Sequence, residues 1–143
     1  MKYNRFEELP VWKDAIELAV KVFALTSRSQ YRRFRSVRDQ IERAAMSVSN
    51  NIAEGFERGT TQETLTFLYI ARGSCGETRS VLCLCERLPA FSDLKSEIRS
   101  ESERRGCFAA VEGLVQLAPK LRHSRSALLE REEQEGDECK AGA

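Results

Sequence analysis

The chain has 143 residues, of which 41% are apolar and 31% charged, with three Pro and eight Gly. This is the size of one domain able to bury a core without disulfide or metal staples, and the balance is globular and helical. No apolar run approaches the length of a membrane span, and the start MKYNRFEELP has no apolar signal region. The five cysteines, at 75, 83, 85, 107 and 139, include no CxxC pair. Cys83 and Cys85 would project about 200° apart on a helix, and His123 is the single histidine, so neither a metal nor a cofactor is expected. A reduced, cytoplasmic protein with buried thiols is the expected setting.

The net charge of +1 conceals an asymmetry. Arg28, Arg32, Arg33, Arg35, Arg38 and Arg43 stand against only Asp39 and Glu42 in one segment, whereas the last residues from Ala127 carry six acids against Arg131 and Lys140.

Residues 1–9 read as a lead-in anchored by Phe6 and Leu9. Pro10 suits the first turn of a helix, which should run to about Ser27. Trp12, Ile16, Ala19 and Phe23 recur at core spacing. Val11, Leu18, Val22 and Leu25 form a second apolar stripe, so part of this helix is expected to meet another subunit. The link Ser29 to Arg35 sets Tyr31 and Phe34 among arginines. Guanidinium groups there would meet phosphates while an aromatic ring stacks on a base; the alternative is a polar turn whose aromatics tuck into the core.

Ser36 followed by Asp39 resembles a cap for a second helix ending near Arg58 and Gly59. Phe34, Val37, Ile41, Ala44, Ala45, Val48, Ile52 and Phe56 fall in one arc of about 120°. Gln40, Ser47, Asn51 and Glu54 line a strip beside it. Such groups need partners when half-buried, and the expectation is an interhelical network in which Asn51 and Glu54 bond a neighbouring helix or subunit; the alternative is a ligand or catalytic site.

Thr60 with Glu63 is a second capping signal, opening a third helix from Thr61 to about Leu88, where Pro89 ends it. One face carries Leu65, Leu68, Ala71, Cys75, Leu82 and Cys85, another Phe67, Ile70, Ser74, Val81, Leu84 and Leu88, so this helix should be covered nearly all round, either within a bundle or between subunits. The small residues Gly73, Ser74, Cys75 and Gly76 suggest close approach of the second helix at its Ala44, Ala45, Ser47 and Ser49; a phosphate-binding glycine loop is the alternative, with no strand before it and no GKS or GKT after it. A fourth helix, capped by Ser92, is expected to use Leu94, Ile98, Phe108, Val111, Leu114, Val115, Ala118 and Leu121, with a bend or exposed section at Ser100 to Gly106. The boundaries are a bundle domain over 1–123 and a frayed acidic tail over 124–143. Four antiparallel helices with short links make an all-α, up-down four-helix bundle.

The chain resembles the four-helix-bundle proteins encoded in ribosomal-RNA intervening sequences over roughly residues 6–121. The resemblance rests on Phe6, Leu9, Val11 and Trp12, on Gln40, Arg43, Ala44, Ala45, Ser47 and the run Asn51 to Gly55, and on Phe67, Leu68, Ile70, Ala71, Gly73, Ser74 and Glu77. It implies an up-down bundle assembling into a ring, typically a homopentamer. It also implies a distant relation to the accessory protein of diversity-generating retroelements, a basic ring that works with a reverse transcriptase and its RNA. No enzymatic activity is attached to the family.

The expected function is therefore a non-catalytic oligomeric adaptor that binds nucleic acid, RNA or DNA, through phosphates, with Arg28, Arg32, Arg33, Arg35 and Arg38 as contacts and Tyr31 as the stacking residue. A protein-interaction hub is the alternative. An enzyme would need Glu54 with Glu77, or His123, as acid and base.

Overall fold

Leu9 is extended, and Pro10 takes the first helical position, where its missing N–H has no bond to lose. Helix α1 (Pro10–Thr26) thus begins where the sequence predicts. The structure, a computed structural model, describes residues 3–102 together with 109, 111 and 113. Among these residues there are four α-helices and no strand: α1, α2 (Arg35–Glu57), α3 (Thr61–Arg87) and α4 (Lys95–Ser102). Short 3-10 turns at Phe6–Glu8, Ser29–Arg33 and Pro89–Leu94 lead into or join them. Phe108, Leu114, Val115, Ala118, Leu121, Cys107, Cys139, His123 and the acidic tail lie outside the described residues, as does most of the section expected to bend between Ser100 and Gly106.

The core face of α1 differs from the stripe predicted first. Val11, Ala15, Ala19, Val22 and Leu25 are buried, while Trp12 and Ile16 are half-buried and Phe23 is 42% exposed. Ala15 and Ala19 explain the choice: small side chains let a neighbouring helix approach, and the bulky Trp12 and Phe23 are turned to the flank. Trp12 packs edge-on against Phe6, with ring centroids 5.3 Å apart.

Helix α2 buries Ile41, Ala44, Ala45, Val48, Ser49, Ile52 and Gly55, close to the predicted arc. Facing it, α3 buries Leu68, Ala71, Ser74, Cys75, Thr78, Leu82 and Cys85. The pairings run in opposite directions along the two helices. Gln40 bonds Glu77, Ser47 bonds Ser74 and the Gly55 carbonyl accepts from Thr64, so α2 and α3 are antiparallel. They approach closely at Gly55, where an added Cβ would stand 3.0 Å from the Phe67 Cβ and 3.2 Å from the Thr64 carbonyl oxygen. Of the small residues expected to serve this approach, Ser74 and Cys75 are buried and Ser74 bonds Ser47, whereas nothing among the described residues lies within 4 Å of a Cβ added at Gly73 or Gly76.

Two capping expectations also change. Phe34, not Ser36, precedes α2, and no side chain caps that end. The Phe34 ring lies 5.1 Å from Phe91, which holds the backbone so that the helix begins at Arg35 and takes Ser36 inside. Ser92 likewise sits within the 3-10 turn Pro89–Leu94, tightened around the fully buried Phe91, so α4 starts only at Lys95. The Thr60 prediction holds: its Oγ1 accepts from the Glu63 N–H at 3.2 Å and also lies 2.8 Å from the Glu63 carboxylate.

Two layers of core result. Leu9, Val11, Ala15, Val48, Ile52, Leu68 and Val111 form one. Val22, Leu25, Tyr31, Ile41, Leu82, Phe91 and Ile98 form the other, beneath the arginine-rich turn. Val111, Leu94 and Ile98 occupy the core positions predicted for them.

Candidate nucleic-acid interface

The turn Ser29–Arg33 is held by one inward-facing residue. Tyr31 is fully buried, its ring centroid 4.6 Å from that of Phe91. A 3-10 turn has three residues per revolution, so turning Tyr31 inward carries Arg32 and Arg33 outward. Both are exposed, as is Arg35 at the first position of α2, and none of the three has an ion pair among the described residues.

Arg28 and Arg38, predicted to act with them, are already engaged. Arg28 Nη2 donates to Glu97 across 3.2 Å at a cleft of about 430 Å³ between α1 and α4, lined also by Lys21, Leu25, Ser100 and Glu101. Arg38 Nε lies 3.6 Å from Asp39 and 3.8 Å from Glu42. Glu42 also accepts a 2.6 Å bond from Thr26, tying α1 to α2 just below the basic turn.

Tyr31 cannot be the stacking residue. Its ring is a core peg, because burying a large aromatic surface stabilises the turn more than leaving it in water. The hydroxyl faces the Cys85 thiol without a well-formed hydrogen bond. Burial pushes the Tyr31 phenol far above its usual range, with the neighbouring Cys85 adding to the shift, and burial pushes the Cys85 thiol up as well.

The polar strip divides. Asn51 Nδ2 donates to the Ser47 carbonyl at 2.6 Å and to Ser47 Oγ at 2.9 Å; Ser74 Oγ of α3 donates to the same Ser47 oxygen at 2.9 Å. Thr78 continues the chain by donating to the Ser74 carbonyl at 2.9 Å. With the Gln40–Glu77 bond, this is an interhelical seam between α2 and α3. Asn51 reaches α3 only through Ser47. The buried hydroxyls of Ser74 and Thr78, one helical turn apart, were the sequence signal for the partner side.

Glu54 does not belong to the seam. It is exposed and pairs at 2.5 Å with Arg58, four residues on, which satisfies it along the same helix. That bond raises the Arg58 pKa, and the Arg58 guanidinium also lies 5.0 Å from the Phe67 ring centroid. Glu54 and Glu77 therefore have separate partners, Arg58 and Gln40, and do not form a carboxylate pair.

Among the described residues, no group of three His, Cys, Asp or Glu side chains could hold a metal, and no helix is long and apolar enough to cross a membrane. Cys75 and Cys85 are buried and Cys83 is half-buried. Among the described residues, six large apolar side chains stand exposed: Val20, Phe23 and Met46 on α1 and α2, and Tyr69, Ile70 and Leu84 on α3.

No curated protein matches the chain. The sequence profile described as 23S rRNA-intervening sequence protein matches residues 7–104, from the lead-in turn through the described turns of α4. With two thirds of its length inside that profile, including the arginine turn and the α2–α3 seam, the chain belongs to the 23S rRNA-intervening sequence protein family.

Proposed function

We propose that this protein is a non-catalytic, cytoplasmic scaffold that binds structured RNA through the arginine face formed by Arg32, Arg33 and Arg35. The carrying observation is that these three cations are exposed at the uncapped start of α2 and have no ion pair among the described residues. A cation at a helix N-terminus opposes the helix dipole at a cost of about 0.3–1 kcal/mol, and the first turn of α2 holds no acid to offset it. Arginine there disfavours the helix and favours an anion outside it. Guanidinium groups suit phosphate oxygens, which they can meet bidentately. Arg28 and Arg38 are secondary contacts that would first have to release Glu97, Asp39 or Glu42.

The scaffold is an up-down bundle assembled into a ring-like homo-oligomer, a homopentamer. Two separate apolar faces support this reading, because rings form when one surface of a subunit meets a different surface of the next. Val20 and Phe23 on α1, with Met46 on the adjoining α2, are assigned to one face. Tyr69, Ile70 and Leu84 make the other, with the open glycines Gly73 and Gly76 lying among them. Repeating the arginine face once per subunit adds avidity to weak phosphate contacts.

The test is anisotropy of a labelled structured RNA titrated with the protein at about 50 and 200 mM salt, a range over which phosphate contacts weaken steeply. Expected is binding that collapses at the higher salt and is lost in the triple variant Arg32→Glu, Arg33→Glu, Arg35→Glu while the oligomer persists. If wild-type protein binds no RNA at either salt, the arginine face has another use. The exposed apolar faces then favour the second reading, a hub whose partner is another protein.

A further inference from the structure

We propose that the arginine face reads the backbone of a double-helical stem and is not a platform for single strands. This rests on the RNA-binding reading above and narrows its ligand to a duplex class.

Proteins that hold single strands combine a basic groove with aromatic side chains on which unpaired bases stack, each stack contributing about 1–3 kcal/mol. The sequence places two aromatic residues among the arginines, and folding removes both from that use. Tyr31 and Phe91 are fully buried against each other, and half-buried Phe34 closes on Phe91 at 5.1 Å. Freeing any of these rings would open the core layer beneath the turn. The most exposed aromatic residues among those described are Phe23 and Tyr69. Phe23 lies on α1 with Val20, among the exposed apolar residues assigned above to subunit contact. Tyr69 is 18 residues from Arg87 on α3, so about 27 Å from the end of the bundle that carries the arginines.

What remains at the basic end is cationic donors on a stiff support. Arg32, Arg33 and Arg35 spring from a 3-10 turn and a helix start whose backbone is anchored by the ring cluster of Tyr31, Phe34 and Phe91. Fixed donors suit a regular array of phosphates such as a helical stem presents, and double-stranded RNA is read mainly by shape and backbone contact. Flexible single strands offer bases for which the turn's own rings, Tyr31 and Phe34, are not available among the described residues.

The full chain is titrated into four probes at about 50 mM salt: an RNA hairpin with a fully paired stem of about 16 base pairs, oligo-U of equal nucleotide number, a DNA hairpin of the same sequence, and oligo-dT. Each hairpin is expected to bind at least about tenfold more tightly than its single strand, a difference of about 1.4 kcal/mol. Permuting the stem sequence should leave affinity unchanged, and Tyr31→Phe should leave hairpin binding within about twofold, because the phenol touches no ligand. Oligo-U bound as tightly as the RNA hairpin overturns the duplex assignment while sparing the RNA-binding reading. A tenfold loss on Tyr31→Phe, with the circular dichroism spectrum unchanged, also overturns it. Absence of binding to all four probes removes both.

Discussion

Tyr31 carries a phenolic hydroxyl into the core beside Cys85 and leaves it without a well-formed hydrogen bond. A buried hydroxyl in that state costs about 1–3 kcal/mol, so Tyr31→Phe should not lower stability at neutral pH. The raised phenol also sets a sign for alkaline pH. The unfolded phenol ionises near pH 10, whereas the folded one resists ionisation, so its contribution is complete below about pH 10 and is lost above it, by about 1.4 kcal/mol per pH unit. Urea midpoints measured near pH 9 and pH 11 should fall less in Tyr31→Phe than in wild type. A residual slope is expected from the Cys85 thiol, also raised by burial, which begins to lose its contribution at lower pH. Equal slopes in the two proteins would mean that the phenol is solvated. The sequence could not assign Tyr31, because a ring between arginines serves a nucleobase or a core equally well until the position of Phe91, 60 residues away, is known.

The α2–α3 pair shows how much of an element can be read from its pattern. The arc through Ile41, Ala44, Ala45, Val48 and Ile52 is buried as expected, since 3.6-residue spacing alone places those side chains on one face. The glycines were harder to place. Gly55 lies under Phe67 and the Thr64 carbonyl, while Gly73 and Gly76 lie in the open. Composition marks all three alike, and only the direction of each Cα relative to the neighbouring helix separates them. Gly55→Ala should destabilise the protein by about 1–3 kcal/mol, because the nearer obstacles are a Cβ and a backbone oxygen that cannot swing aside. The change should appear in the urea midpoint. A midpoint equal to wild type would mean that α2 and α3 separate there at little cost. Glu54 is the other misplacement at this scale, drawn off the seam by Arg58 on its own helix.

For the whole molecule, the two exposed apolar faces carry the prediction. Val20 and Leu84 are 62% and 48% exposed, so a charge at either leaves the subunit core intact. In a ring built from two different faces, Val20→Glu and Leu84→Glu should each reduce the assembly to monomers in sedimentation velocity. Mixed together, they should form dimers and nothing larger, since each variant retains one working face. A two-fold interface would instead leave at least one variant dimeric alone. Gly73 and Gly76 belong to the same argument. Each costs about 1 kcal/mol in a helix interior, and nothing within the described subunit packs where their side chains would be.

The sequence by itself determined the all-α class, the starts of α1 and α3, the family, and which segment holds the arginines. These depend on spacing, on Pro10 and Thr60, and on charge along the chain, all of which are local. The tertiary structure decided which arginines are free, which α1 stripe is core, that Tyr31 is a peg, and that Ser47, Ser74 and Thr78 join two helices. Those outcomes depend on what the fold brings opposite each side chain. Glu97 reaches Arg28 from 69 residues away, and Phe91 closes on both Tyr31 and Phe34.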